Sequence, residues 1–229
     1  MNSRQDLLDT IDADPQLSAI MERVRGAAGD DASHDLNHTL RVARWTLNIA
    51  GDQVEPRLAI TAALLHDVIN VPKNSPDRAR ASALCADHVR GLLPEHGFST
   101  DEIDLIADAI RDHSYSRGAT PTSALGKALQ DADRLEAIGA IGLMRTFATG
   151  SRMGARFFHP EDPWARDGRD YDDTRYSVDH FFTKLLGLPE TMLTEAGRAE
   201  GRRRVGLMVA FLRQLGEEIE APPPEERLI

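Results

Sequence analysis

The sequence predicts an all-α protein. Three observations carry that expectation. Apolar residues recur at helical spacing through most of the chain, start and stop signals separate those stretches, and no alternating run reads as a strand. At 229 residues the chain fits one domain, or one domain with an added helical piece, and is long enough to bury a core.

Residues 3–25 carry Leu7, Leu8, Ile11, Leu17, Ile20, Met21 and Val24, which predicts two short helices broken near Asp14-Pro15. Gly26 to Asp31 is a turn. Ser33 is a candidate N-cap for a helix to about Ala50, stopped by Gly51-Asp52. The next stretch, LAITAALLHD at 58–67, is apolar for almost its whole length and reads as a buried helix. Pro56 suits its first turn.

Residues 69–77 form a turn-rich loop, and a helix is expected from about Arg78 to Leu93, ended by Pro94 and Gly97. Ser99 and Glu102 make a capping box for a helix to about His113. Gly118 to Pro121 turns the chain, and Thr122 or Ser123 caps a helix through Ala137. Gly139 and Gly142 mark either close helix contact or a break, after which Ile141 to Phe147 resumes helical spacing. Residues 150–175 show no periodicity and predict a long loop, the kind that is usually functional or mobile. It is either a lid offering Trp164, Tyr171 or Tyr176 to a base, or a surface loop whose rings pack locally. Residues 176–187 look helical, and a last helix runs from Glu190 to Ile219, with a bend near Gly206. The Pro/Glu-rich tail at 222–229 is expected to fray.

The formal charge of −10 argues against a nucleic-acid binder, because no basic surplus exists to neutralise phosphates. Small anionic substrates remain open, since a metal and a few local cations can hold a phosphate. No apolar stretch is long enough for a membrane helix, and the first residues do not read as a secretory signal. The single Cys85 excludes an internal disulfide framework, and together these features lead us to expect a cytoplasmic protein.

Four places carry the chemistry. His34 and His38 share a helix face in HDLNH, His66 and Asp67 end the apolar run, His113 closes a helix, and QDADRLE at 130–136 sets acids into an apolar helix. A core helix has no inexpensive reason to deliver an imidazole and a carboxylate side by side, because buried charge must be paired or bind a metal. A metal held by His38, His66, Asp67 and Asp133 explains all four placements together. Two imidazoles and two carboxylates suit Mn²⁺, Fe²⁺, Ni²⁺, Co²⁺ or Zn²⁺ better than Ca²⁺. Asp131 and Glu136 are either surface charges or acceptors for ligating imidazoles, and Arg41 either pairs with such a carboxylate or is solvated. His88 and His96 are read as capping or hydrogen-bonding residues, the commoner roles of a lone histidine.

The ordered set H…HD…D, with HDLNHTLRVARW, LLHD, AIRDHSYS, LQDADRLEAIGAIGLMRTFA and YSVDHFFTKLLGLPETM, resembles the HD superfamily of metal-dependent phosphohydrolases. Within it the chain looks like the small stand-alone bacterial YedJ-like and YpgQ-like branch. The resemblance runs from about Ser33 to at least Leu188 and implies an HD-domain helical bundle; we expect one domain over residues 1–221, with a metal-binding core at about 33–148 and a C-terminal helical extension at 176–220. It implies His38, His66, Asp67 and Asp133 as ligands of one divalent transition metal per chain, Mn²⁺ first and Ni²⁺, Co²⁺, Fe²⁺, Zn²⁺ or Mg²⁺ otherwise.

The implied reaction is hydrolysis of a nucleoside or deoxynucleoside triphosphate to monophosphate and pyrophosphate through a metal-bound water. A nucleoside monophosphatase or phosphodiesterase of the same fold is the alternative, the latter with a second metal recruiting His88 and His113. A non-catalytic helical binding protein is the reading from a different class. Asp67 would orient the water, and His113 would donate a proton or steady a phosphate oxygen. Lys73 and Lys184 are the candidate phosphate cations, at positions that resemble the branch's pattern. Asn74, Arg78 and Arg117 would add donors, while His34, Arg41, Asp131 and Glu136 would support the ligands. The expected partner is a small phosphorylated molecule, with no nucleic acid and no membrane, and the chain is expected to be a monomer or homodimer.

Overall fold

The computed structural model describes residues 3–27, 36–69, 80–114 and 117–228. Among them the secondary structure is helical apart from one isolated bridge between Arg156 and Tyr176. The chain divides into two compact units, Met1–Asp133 and Arg134–Ile229. Among the described residues, no helix is long and apolar enough to cross a membrane.

The first unit holds α1 (Arg4–Ala13), α2 (Pro15–Ala27), α3 (Leu36–Ala50), α4 (Pro56–Leu65), α5 (Ala81–Leu92) and α6 (Thr100–Asp112). It also holds all but the last two residues of α7 (Ala124–Leu135). The break between α1 and α2 falls at Asp14, whose carboxylate accepts from the Gln16 and Leu17 amides at the start of the new helix. Every residue of α4 from Leu58 to Leu65 is buried. That follows from its composition, because a helix apolar all round is stable only when neighbours cover every face. Here α2, α3 and α6 do so. The capping box before α6 forms as expected, with the Ser99 hydroxyl accepting from the Glu102 amide and the Glu102 carboxylate accepting from the Ser99 amide. The predicted cap at Ser33, the loop expected at 69–77 apart from its first residue, and the expected helix start at Arg78 lie outside the described residues.

The second unit is built on α8 (Gly139–Arg152) packed along α9 (Glu195–Glu218). The glycines left open at 139 and 142 act by close approach and by turning. Gly139 opens α8 at φ +73°, and a Cβ at Gly142 would lie 2.3 Å from the Ala137 carbonyl oxygen.

Three expectations need correcting here. The helix foreseen over 176–187 is a single π-helical turn, Phe181–Leu185, with the Leu186 amide donating to the Phe181 carbonyl. The last helix begins at Glu195, because Pro189 sits in a separate 3-10 turn, Leu188–Thr191, and it runs through Gly206 as one element of 24 residues. The tail does not fray over its described length: Leu228 is buried, and the Arg227 guanidinium donates to the Trp164 and Ala165 carbonyls and the Tyr171 hydroxyl.

The same contacts decide the rings of 150–175. Trp164 is 2% exposed and its indole N–H donates to the Ala221 carbonyl at 2.6 Å. Tyr171 stacks on Phe182 with centroids 5.1 Å apart, and Tyr176 is buried between the Arg169 and His159 side chains. These rings are packed within the second unit, so the base-stacking lid is replaced by the local-packing reading. Asp179 ties the segment together: fully buried, it takes both Arg169 guanidinium nitrogens, at 2.6 and 2.8 Å, and the Asp172 amide at 2.8 Å.

Candidate metal centre

The site begins at two helix ends. His66 follows the last residue of α4 and His113 the last residue of α6. The last carbonyls of any helix lack partners within it. In both places the imidazole supplies one: His66 Nδ1–H donates to the Ala63 carbonyl at 2.7 Å, and His113 Nδ1–H donates to the Ile110 carbonyl at 2.6 Å. A carbonyl can only accept, so each ring carries a proton on Nδ1, and in the neutral ring the lone pair is then on Nε2. The same construction, used twice, turns two lone pairs away from the helix ends. The negative end of each helix dipole also favours a cation there.

The rings converge. His66 lies 5.4 Å from His38 and 5.1 Å from His113, centroid to centroid. His38 arrives from the first turn of α3 and is buried. One donor atom each from His38, His66 and Asp67 lies within 4.8 Å of the others. Asp133 arrives on α7, with Oδ1 at 3.7 Å from His38 Nε2 and 4.0 Å from His66 Nε2. Asp67 splits its carboxylate: Oδ2 is 3.7 Å from His66 Nε2 and Oδ1 is 3.8 Å from His113 Nε2.

These spacings are too long for hydrogen bonds and suit a shared ion. First-row divalent ions hold N and O donors at about 2.0–2.2 Å, which sets neighbouring donors roughly 3–4 Å apart. His66 Nε2 is buried with no hydrogen-bond partner among the described residues, a costly position for a polar atom that nothing binds. The donor set, imidazole nitrogen with carboxylate oxygen, fits a divalent transition metal. Burial holds the His113 ring below the ordinary imidazole pKa, with the neighbouring His66 adding to that and the acids opposing it.

The other expected residues fall as follows. Asp131 is fully buried on α7, and Arg41 is half-buried one turn past His38. Arg117 is exposed beside Asp112, at 3.4 Å. Asp112 is held below its ordinary carboxylate pKa, chiefly by its bonds from Arg111. Glu136 and Lys184 belong to the second unit. Glu136 is buried with Arg204 at 4.0 Å, and Lys184 is half-buried in the π-helical turn, where it lowers the pKa of Asp173 as a lesser contribution behind His180. His34, Lys73, Asn74 and Arg78 lie outside the described residues. His88 is exposed on α5 and stands outside the group of clustered donors. The sequence reading passed over one buried polar residue beside the site, Gln130. Its signal was a polar residue inside the QDADRLE segment, overshadowed there by the acids.

Comparison with known proteins fits this geometry. A family model described as the HD domain matches residues 35–138. The uncharacterized protein YpgQ of Bacillus subtilis (strain 168) is 35% identical over 211 residues, covering 89% of this chain and 94% of that one. A crystal structure of Bacillus subtilis YpgQ in complex with ADP superposes with a TM-score of 0.66 at 28% identity, over 87% of this chain and 97% of that one. A predicted HD superfamily hydrolase from an uncultured Thermotogales bacterium gives a TM-score of 0.63 at 30% identity, over 93% of this chain and 98% of that one.

Proposed function

Since the chain belongs to the HD superfamily, in its YpgQ-like branch, we propose that it hydrolyses a nucleoside or deoxynucleoside triphosphate to the monophosphate and pyrophosphate. The fold and the His38–His66–Asp67 cluster make it a metal-dependent hydrolase. The nucleotide is supported by the relative crystallised with ADP, and the triphosphate reading by the likeness to that branch. The observation that carries the proposal is the meeting of His38, His66, Asp67 and Asp133 at spacings of one ion's donors.

We take those four residues as the groups that hold the metal, with Mn²⁺ first among candidates. A bound divalent ion supplies a Lewis acid for a phosphoryl oxygen and lowers the pKa of coordinated water. The protein supplies direction. Asp67 Oδ1 and His113 Nε2 face each other at 3.8 Å, and both are acceptors, so a single water can donate a hydrogen to each. Because the His113 Nδ1–H is engaged with the Ile110 carbonyl and burial favours the neutral ring, Nε2 is the nitrogen left to accept. We therefore propose His113 as an acceptor that orients the attacking water, beside the two roles expected from the sequence, donating a proton or steadying a phosphate oxygen. Arg117, and with it Lys73, Asn74, Arg78 and Lys184, are proposed to hold the phosphates.

A panel of nucleotides with Mn²⁺, Mg²⁺, Co²⁺ and Ni²⁺, scored separately for pyrophosphate and orthophosphate, tests the reaction. Pyrophosphate from triphosphates is the expected product. Orthophosphate from monophosphates would move the chain to the monophosphatases, and turnover of phosphodiesters alone to the phosphodiesterases. Protein that neither retains metal nor turns over any phosphate would leave a helical binding protein. Lys184→Ala is expected to raise KM about tenfold with bound metal unchanged, as loss of one phosphate cation should. Identical kinetics in that variant would remove Lys184 from the site.

A further inference from the structure

Gln130 is 1% exposed on α7, one turn before Asp133. Its side-chain amide donates to two backbone carbonyls, Asp112 at 3.0 Å and Ala119 at 3.1 Å. An NH₂ group has two hydrogens, and both are used here. The two acceptors bracket one connection: Asp112 is the last residue of α6, directly before His113, and Ala119 follows Arg117 and Gly118. One buried amide thus fastens both ends of the connection that carries the His113 ring and the Arg117 guanidinium. The helix that presents Asp133 to His38 and His66 is the helix that holds the clamp.

We infer that Gln130 is a positioning residue, setting His113 against Asp67 and Arg117 against the substrate's phosphates by holding the Asp112 and Ala119 carbonyls that flank them in sequence. The inference rests on the proposed phosphohydrolase reading. Its physical content is separate: two charge-neutral hydrogen bonds run from a buried amide to partly buried carbonyls, and both carbonyls lose that donor when the amide is removed. No other element needs to move for the clamp to fail. A shift of about 1 Å in a positioned group is enough to cost about a hundredfold in rate.

Gln130→Met keeps the volume and removes both donors. We expect kcat/KM to fall by about 10- to 100-fold with metal content unchanged, and most of the loss to vanish when the same change is made in a background that carries both His113→Ala and Arg117→Ala. Equal losses in the two backgrounds would mean a general structural role and would overturn the inference. A second readout needs no substrate. Trypsin cleavage between Arg117 and Gly118, under native conditions, should quicken in Gln130→Met, and unaltered cleavage overturns the clamp whatever the substrate proves to be. Should Gln130→Met not fold, Gly118→Ala disturbs the same connection from its exposed side, because Gly118 stands at φ +66°. It is expected to reproduce the kinetic loss, and wild-type kinetics in that variant would count against the inference. A wild-type protein inert on every nucleotide would defeat the phosphohydrolase reading alone.

Discussion

Asp67→Ala is expected to lower turnover by roughly a thousandfold or more and to loosen bound metal, because one carboxylate serves two neighbours. Its Oδ2 faces His66 Nε2 and its Oδ1 faces His113 Nε2. Removing it deletes a negative donor from the cluster that otherwise consists of the imidazole rings and Asp133, and it also deletes one of the two acceptors proposed to aim the attacking water. The two losses are separable. Metal content of protein purified without added ions reports the first, and kcat at saturating metal reports the second. Asp67→Asn keeps a donor oxygen without the charge and should lie between the wild type and Asp67→Ala. Full activity in purified Asp67→Ala would defeat the mechanism.

The largest effect on stability is expected far from the chemistry, at Asp179. Its carboxylate is fully buried and accepts from Arg169 twice and from the Asp172 amide. Truncation to Ala would leave the Arg169 cation partly buried with its main partner gone, and breaking such a pair costs about 3–5 kcal/mol. For a chain of this length that corresponds to a fall in Tm of about 10 °C. The segment from Trp164 to Tyr176 depends on this anchor and on the tail that covers it, so the protein should also become sensitive to proteases there. A melting curve within a degree or two of the wild type would show the pair to be ornamental.

These two sites differ in how visible they were. Asp67 could be read directly, since an imidazole and a carboxylate ending an eight-residue apolar run contradict the burial that the run requires. Asp179 could not. YSVDHFF shows an acid among apolar residues, but its partner Arg169 sits ten residues away inside a stretch without period. The same held for the tail. A Pro/Glu-rich end reads as solvated, and only the packed structure places Leu228 in a core and the Arg227 guanidinium over the Tyr171 ring.

His113 shows the boundary in a single residue. Its place at a helix end was legible from the capping box at Ser99 and the apolar stripe of α6. The tertiary structure adds that the Ile110 carbonyl takes the Nδ1 proton, and that bond fixes which nitrogen faces Asp67. Gln130 is the converse case, present in the quoted motif but silent until both carbonyls it serves were found beside it.

What the sequence determined by itself is what nearest neighbours along the chain decide: helix identity, most helix ends, the apolar faces, and the residue types that must meet something at the core. Periodicity, caps and composition are local, and each is written within a few turns of chain. The tertiary structure alone decided which distant groups meet, which ring nitrogen is left bare, and which loops and tails are tied down. Those outcomes depend on packing distances of a few ångströms between segments far apart in sequence, and no local pattern encodes them.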